Sequence, residues 1–279
     1  MSSSKKKRVF ITGGASGLGR ALAERYARAG WRVCIGDLHV ERGAETVAHL
    51  ATLHADAHFL RCDVTQEADL AAAASWLELT WGGVDVVVNN AGVAVSGGID
   101  EVSLADWQWI VDINLLGVVR GCKVFTPLLR SSRGTLVNIA SMAGLVSPPL
   151  STAYCATKAA VVALSESLRM ELADEGIGVS VVCPAFFRTN LTESLRATTP
   201  GVARLTKHLV ERAKRDATEI ADLVYRGVER GDFYVLTHAE GKRAWWMKRF
   251  LPSNLYLRIF GRGTRRMMEF ARRPVRTAT

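Results

Sequence analysis

Two side chains that could exchange protons with an oxygen atom stand four residues apart. Tyr154 and Lys158 fall within a predicted helix over residues 154–173, so both lie on one helix face. An ammonium group near a phenol stabilises the phenolate and lowers the phenol pKa from its usual value of about 10. The phenol could then carry a proton to or from a substrate oxygen. A packed tyrosine beside a solvated lysine is the plainer interpretation of the pair alone.

A serine follows the predicted strand over residues 135–139 and precedes Tyr154 by thirteen residues. The hydroxyl of this residue, Ser141, could polarise a carbonyl oxygen, or stabilise the alkoxide that forms in the opposite direction. A serine after a strand is more often only a turn former, so the chemistry depends on its lying beside Tyr154.

A glycine-rich turn joins the predicted strand over residues 8–12 to a predicted helix over residues 18–29. The turn reads Thr12-Gly13-Gly14-Ala15-Ser16-Gly17-Leu18-Gly19. Glycines let the backbone turn sharply and approach a pyrophosphate, and the start of the helix offers free N–H groups. A P-loop is excluded, because no Gly-Lys-Ser/Thr follows the turn.

An acidic residue, Asp37, stands at the end of the second predicted strand, 18 positions beyond Gly19. A carboxylate there could accept hydrogen bonds from the adenosine ribose and would repel a 2′-phosphate. NAD is therefore favoured over NADP as the cofactor. An N-cap or turn role for Asp37 is the plainer alternative, and His39 and Arg42 nearby could soften the preference.

Strands and helices alternate along the chain, which indicates an α/β fold. Strands that are nearly all apolar, such as residues 84–89 and 178–183, indicate a parallel sheet with helices on both faces. The remaining predicted strands cover residues 32–36, 58–62, 135–139 and 233–236, and further helices are predicted near 41–53 and 67–79. The length of 279 residues suits one such domain.

These motifs together resemble the short-chain dehydrogenase/reductase family over residues 6–239. The turn has the spacing Thr-Gly-x-x-x-Gly-x-Gly, and the other residues that carry the resemblance are Asp63, Asn89-Asn90-Ala91-Gly92, Asn114, Ser141, Tyr154-x-x-x-Lys158 and Pro184 to Thr189. The resemblance implies a Rossmann-like doubly wound parallel sheet. It also implies reversible hydride transfer between a nicotinamide cofactor and a carbinol or carbonyl carbon.

The resemblance assigns a role to each matching residue. Tyr154 would carry the proton and Ser141 would hold the oxygen. Lys158 would tune Tyr154 and bind the nicotinamide ribose, while Asn114 would hold a water that links Lys158 to solvent. The residues predicted to bind the cofactor are Gly13, Ser16, Gly17, Leu18, Gly19, Asp37, Asp63, Val64, Asn90, Ala91, Gly92, Tyr154, Lys158, Pro184 and Thr189.

One position departs from the family pattern. Ala185 stands where the family usually has glycine, which would be costly if the backbone there needed a positive φ.

The segments expected to enclose the substrate are apolar. Residues 186–215 are predicted to form a lid and residues 142–150 a wall, and neither contains a basic cluster that would bind a phosphorylated substrate. The sequence favours a hydrophobic secondary alcohol or ketone, although packing in the core or at a dimer contact would explain the same residues. Two further alternatives are an NADP-dependent reductase of long-chain or acyl carbonyls, and a non-catalytic NAD-binding or membrane-recruited protein.

The net charge of +9 arises entirely in the last forty residues. Residues 240–279 contain 11 of the 36 basic residues but 2 of the 27 acidic ones, whereas residues 1–239 are neutral overall. We therefore predict a catalytic domain over 1–239 and a basic, aromatic-rich amphipathic extension over 240–279. The extension could be a lid, an oligomer contact or a peripheral membrane contact, and the neutral body argues against nucleic acid.

The remaining features indicate a cytoplasmic chain, with association at a membrane as an alternative. Five scattered cysteines without a Cys-x-x-Cys pair indicate unpaired thiols in a reducing compartment.

No metal site is predicted, because His49, His54, Asp56 and His58 are more typical of a surface cluster. The family resemblance implies a homodimer or homotetramer.

Overall fold

A seven-stranded parallel sheet forms the centre of the computed structural model, which describes residues 6–272 of the chain. In spatial order the strands are β3 (Ala57–Arg61), β2 (Arg32–Asp37), β1 (Arg8–Thr12), β4 (Val86–Asn89), β6 (Thr135–Ile139), β7 (Gly178–Cys183) and β9 (Tyr234–Leu236). The residues of β1 and β4 are all buried, as their continuous apolar sequences predict.

Helices cover both faces of the sheet. One face packs against α1 (Gly17–Arg28), α2 (Val40–Thr52) and α9 (Ala217–Glu229). The other face packs against α3 (Glu67–Trp81), α5 (Gly117–Ser132) and α7 (Thr152–Glu171). The predicted doubly wound α/β class is confirmed. The other helices are α4 (Leu104–Val111), α6 (Met142–Val146), α8 (Pro200–Glu211), α10 (Ala239–Phe250) and α11 (Ser253–Arg272).

The order of the strands creates a crevice at the carboxyl ends of the central strands. The chain adds β2 and β3 on one side of β1, and then crosses over to place β4 on the other side. The connections that leave the carboxyl ends of β1 and β4 therefore run in opposite directions, and such a crevice is where doubly wound sheets bind ligands. A second, two-stranded parallel sheet pairs β5 (Val95–Ser96) with β8 (Arg196–Ala197).

The C-terminal helices pack over the body of the protein. In α10, Lys248 Nζ donates to Leu145 O at 2.6 Å, and in α11 the hydroxyl of Tyr256 donates to Val146 O at 3.2 Å. Pro252 lies between the two helices, after the end of α10 at Phe250 and before the start of α11 at Ser253.

The predicted domain boundary falls at the start of α10, and the division into two domains stays a prediction. Arg273 and Arg276, which were counted in the basic extension, lie outside the described residues. Across residues 6–272, no helix is both long and apolar enough to cross a membrane.

Candidate active site

The glycine-rich turn forms a backbone cradle at the start of α1. Gly13 and Gly17 have φ values of +64° and +52°, which residues other than glycine rarely adopt. A Cβ atom on Gly13 would lie 2.9 Å from Ala91 Cα. The N-cap residue Ser16 makes no capping hydrogen bond through its side chain, and the first turn has no acidic residue. The N–H groups and positive dipole end therefore suit a phosphate.

The end of β4 is fastened to this turn by hydrogen bonds. The Asn90 side chain donates to Thr12 O at 2.8 Å and to Gly13 O at 3.1 Å. Thr12 Oγ1 accepts from the N–H groups of Asn90 and Ala91 at 3.0 and 3.1 Å. These bonds hold two walls of the crevice at a fixed spacing, and Thr12 is a positioning residue that the site prediction missed.

The two predicted acidic residues both bind local backbone as well as facing the crevice. Asp37 is buried, and its carboxylate accepts from the N–H groups of Ala15 at 3.0 Å and His39 at 3.1 Å. Asp63 accepts from the N–H and the hydroxyl of Thr65 at 2.9 and 2.7 Å. The turn role considered for Asp37 is therefore present, and it orients the carboxylate toward the cleft.

These elements enclose a cleft of about 420 Å³ between the carboxyl ends of β1 and β4. Fourteen of the residues predicted to bind the cofactor line it: Gly13, Ser16, Gly17, Leu18, Asp37, Asp63, Val64, Asn90, Ala91, Gly92, Tyr154, Lys158, Pro184 and Thr189. Gly19 does not. It packs behind the turn, where a Cβ atom would lie 2.0 Å from Gly13 O.

Tyr154 and Lys158 both line this cleft, and Ser141 lies beside Tyr154. Ser141 caps α6, accepting from Ala143 N at 3.1 Å and donating to Pro184 O at 3.3 Å, and its hydroxyl interacts with the Tyr154 phenol. Lys158 is buried, and its Nζ lies 5.8 Å from the centre of the Tyr154 ring and donates to Ile139 O at 2.7 Å. The helical spacing of four residues thus places the phenol and the amine together.

Asn114 lies behind the cleft, in a π-helical turn over residues 112–116 between α4 and α5. Its side chain is buried, accepting from Val93 N at 2.8 Å and donating to Val93 O at 2.9 Å. A Cβ atom added to Gly92 would lie 3.2 Å from Asn114 Oδ1 and 3.6 Å from Lys158 Nζ, so both side chains surround Gly92. A π-turn widens the helix and often marks a functional site.

Burial controls the titration of the two central groups. Burial raises the pKa of Tyr154 to about 12, opposed by its hydrogen bond with Ser141. Burial also lowers the pKa of Lys158 to about 8. The sequence led us to expect a lowered Tyr154 pKa, but in this structure desolvation of the phenolate is the largest effect and raises it.

A second cavity, of about 540 Å³, adjoins the cleft at Tyr154. Five residues line both spaces: Tyr154, Pro184, Phe187, Thr189 and Leu191. Ser141 lines the second cavity, together with the apolar wall before α7, the segment after β7 and the C-terminal helices. The predicted wall and lid segments are thus brought together with residues of the extension, among them Met247 and Phe260.

A family model described as short chain dehydrogenase matches residues 7–200. The chain belongs to the short chain dehydrogenase family. It is therefore an NAD(P)-dependent oxidoreductase that acts on hydroxyl groups.

Relatives of this short chain dehydrogenase include two named alcohol dehydrogenases. The 2,5-dichloro-2,5-cyclohexadiene-1,4-diol dehydrogenase of Sphingobium indicum is 37% identical over 68% of this chain and 76% of its own. The 3-alpha-(or 20-beta)-hydroxysteroid dehydrogenase of Mycobacterium tuberculosis is 36% identical over 67% of this chain and 71% of its own. A short chain dehydrogenase from Burkholderia phymatum, solved with NAD, covers 100% of both chains with a TM-score of 0.84 and 30% identity.

The family's usual glycine after Pro184 is not needed in this short chain dehydrogenase. Ala185 is not among the residues with positive φ, so the strain considered from the sequence does not arise. Its N–H instead donates to His238 Nδ1 at 3.2 Å. His238 was missed because nothing in the sequence connects a residue after β9 with the loop after β7.

The segment after β7 closes over the cleft. Arg42 Nη1 and Glu193 Oε2 form an ion pair at 2.7 Å between α2 and the 3-10 turn over residues 190–194. A Cβ atom on Gly17 would lie 2.4 Å from Asn190 Oδ1, so this turn also touches the glycine-rich loop. Asn190 and Glu193 were not predicted, because their partners lie far away in sequence.

Proposed function

We propose that this chain transfers a hydride reversibly between NAD(H) and a hydrophobic secondary alcohol or ketone. The observation that carries the proposal is the position of Tyr154. Its phenol lies where a glycine-cradled cleft meets an apolar cavity, with Ser141 and Lys158 beside it. A bound nicotinamide cofactor would accept the hydride from the carbinol carbon, or supply it in reverse.

In alcohol oxidation, the residues of this chain manage the proton and the oxygen. The Tyr154 phenolate takes the hydroxyl proton while the carbon–oxygen bond becomes a carbonyl. The Ser141 hydroxyl donates to the same oxygen and stabilises its developing charge. The Lys158 ammonium favours the phenolate through its positive charge, and so acts against the burial that raises the Tyr154 pKa. Asn114 supports the proton path behind Lys158. Reduction runs through the same groups in the opposite direction.

The groups around the cleft support NAD as the preferred cofactor. The backbone around Gly13 and Gly17 fits a pyrophosphate, and the Asp37 carboxylate would face the adenosine ribose. Arg42, the nearby cation that could bind a 2′-phosphate, is held by Glu193. Both features disfavour NADP.

The second cavity supports a hydrophobic substrate. Its lining is mainly apolar and includes Val146, Leu150, Leu205 and Met267. A volume of about 540 Å³ suits a molecule larger than a simple short-chain alcohol. The relatives named for a cyclic diol and for hydroxysteroids agree with a cyclic or steroid-like alcohol.

Two further proposals concern assembly and the alternative function. A homodimer or homotetramer is proposed from family membership. A purely NAD-binding protein is disfavoured, because binding alone requires neither a hydroxyl beside the phenol nor a buried amine such as Lys158. An NADP-dependent carbonyl reductase is the remaining alternative, and comparing the rates with NAD and NADP distinguishes the two functions.

We expect the wild-type protein to reduce NAD with cyclic secondary alcohols, read by absorbance, and to use NADP far less well. Asp37→Asn keeps a polar side chain of the same shape but removes the charge, so the ratio of kcat/KM for NAD to that for NADP should fall at least about tenfold. Glu41→Gln is the matched control, because Glu41 is exposed and lies in the first turn of α2. A wild-type enzyme that prefers NADP, or an Asp37→Asn variant with an unchanged ratio, would contradict the assignment.

A further inference from the structure

Exposed apolar side chains are concentrated on the C-terminal helices. Within residues 6–272, six of the fourteen exposed large apolar side chains lie between positions 246 and 259. They are Trp246, Met247, Phe250, Leu255, Leu257 and Ile259. Phe250 is 70% exposed and Leu257 is 62% exposed, so these side chains meet solvent with most of their surface. Such a concentration of large exposed apolar side chains favours an interaction site in this part of the protein.

The same helices carry a strong positive charge. Along α11, Leu255, Ile259, Arg262 and Arg266 follow one another at helical spacing and are all exposed. Arg258 and Arg265 flank this stripe, and Glu269 is the single acidic residue between positions 241 and 272. We call these four arginines and the six exposed apolar residues the C-terminal patch.

The substrate cavity opens within the C-terminal patch. Met247 and Ile259 are both exposed and both line the cavity, so they stand at its mouth between α10 and α11. On the inner side of the same helices, Ala244, Phe260 and Met267 line the cavity wall. A molecule that enters at this mouth therefore passes directly from the outer surface of the patch to the space beside Tyr154.

We propose that the C-terminal patch docks the protein on an anionic lipid bilayer, and that the substrate enters the cavity from that bilayer. This entry route rests on the proposed function and narrows it to alcohols and ketones that partition into membranes. Tryptophan and phenylalanine beside arginines suit the interfacial layer, where apolar groups are buried and cations meet lipid phosphates. No described helix could span the membrane, so the contact is peripheral.

The charge of the patch favours lipid over a second copy of this chain. A twofold dimer through this patch would bring the same patch of both subunits together, so two surfaces of net positive charge would meet. An anionic surface neutralises these charges, whereas a like-charged partner would be repelled. The bilayer is therefore the occupant that satisfies both the apolar and the cationic part of the patch.

Flotation with vesicles tests the docking. Wild-type protein should float with vesicles of phosphatidylcholine and phosphatidylglycerol, and much less with phosphatidylcholine alone. The double variants Phe250→Ser/Leu257→Ser and Arg262→Gln/Arg265→Gln should each lower the partition coefficient at least about tenfold. None of these four residues lines the cavity. The matched controls, Leu79→Ser/Leu104→Ser and Arg28→Gln/Arg169→Gln, change exposed residues elsewhere and should bind like wild type.

Several results would overturn the docking. The first is that wild-type protein does not bind anionic vesicles. The second is that the control variants lose as much binding as the patch variants. A third is a patch substitution that lowers the molecular mass in sedimentation velocity while vesicle binding is absent, which would identify the patch as an interface between copies.

Substrate entry is tested with one alcohol in water and one in the membrane. The Phe250→Ser/Leu257→Ser variant should oxidise dissolved cyclohexanol like wild type, but its kcat/KM for a long-chain secondary alcohol carried in anionic vesicles should fall at least about tenfold. An equal loss with both alcohols would contradict entry from the bilayer. A wild-type protein that floats but oxidises neither alcohol would refute the proposed function and the entry route, while docking would stand.

Discussion

Replacing Tyr154 with Phe is expected to lower kcat for alcohol oxidation by about 10²–10⁴-fold. The substitution removes the hydroxyl that takes the substrate proton and keeps the ring that separates the cleft from the apolar cavity. Affinity for NADH should stay within about twofold of wild type, because the glycine cradle and Asp37 are untouched. Steady-state rates and a fluorescence titration with NADH measure the two effects.

Tyr225→Phe is the control for this experiment. Tyr225 lies on α9, on the opposite face of the sheet from α7, and lines neither cavity. The Tyr225→Phe enzyme should retain wild-type rates of alcohol oxidation. A Tyr154→Phe enzyme that keeps most of its activity would show that another group carries the proton.

Lys158→Met is expected to lower kcat by about 10²-fold or more and to stabilise the free protein at neutral pH. Burial lowers the Lys158 pKa from its usual 10.5 to about 8. Keeping this amine protonated in the folded protein at pH 7 therefore costs about 3 kcal/mol of stability. Losing the hydrogen bond to Ile139 O offsets about 1 kcal/mol of the gain. The free energy of unfolding at pH 7 should therefore rise by about 2 kcal/mol.

The pH dependence of this gain provides a second check. Between pH 8 and 10.5 the wild-type folded state has released the Lys158 proton while the unfolded state still holds it, so wild-type stability rises with pH. The advantage of Lys158→Met should shrink over that range in denaturant titrations. Lys123→Met, at an exposed site on α5, is the matched control for replacing a lysine with methionine. A Lys158→Met protein that is less stable than wild type at pH 7 would contradict the role of burial.

The sequence predicts the sheet well because its strands are buried on both faces. The bounds of β1, β6 and β7 agree with the predicted strands, since continuous apolar runs end at glycine or polar residues. β4 begins two residues later than predicted, at Val86. Just before it, Asp85 lies in a bend of the backbone, and its carboxylate binds Arg8 at 2.9 Å.

The cleft was largely predictable because its residues follow strands whose carboxyl ends must meet. Fourteen of the fifteen predicted cofactor residues line it, and their roles stay proposals. Gly19 was included by its place in the motif, whereas the structure uses it for packing behind the turn. Periodicity alone could not show the π-turn around Asn114, since it differs from an α-helix by a single inserted residue.

Contacts between distant segments could not be read from the sequence. The Arg42–Glu193 pair and the Ala185–His238 hydrogen bond join residues that no local pattern relates. The direction of the Tyr154 pKa was also out of reach, because it depends on how deeply the phenol is buried. The sequence left the extension as a lid, an oligomer contact or a membrane contact, and the structure places it against the second cavity.

Hydride transfer by this enzyme can be followed with deuterium moving from the substrate to the cofactor. A cyclic secondary alcohol with deuterium on its carbinol carbon is incubated with wild-type enzyme and NAD, and the NADH is analysed by mass spectrometry and NMR. We expect NADH that carries the deuterium at C4 of the nicotinamide, and Tyr154→Phe should form at least about 10²-fold less of it at matched times. NADH without deuterium, or equal transfer by both proteins, would contradict this mechanism.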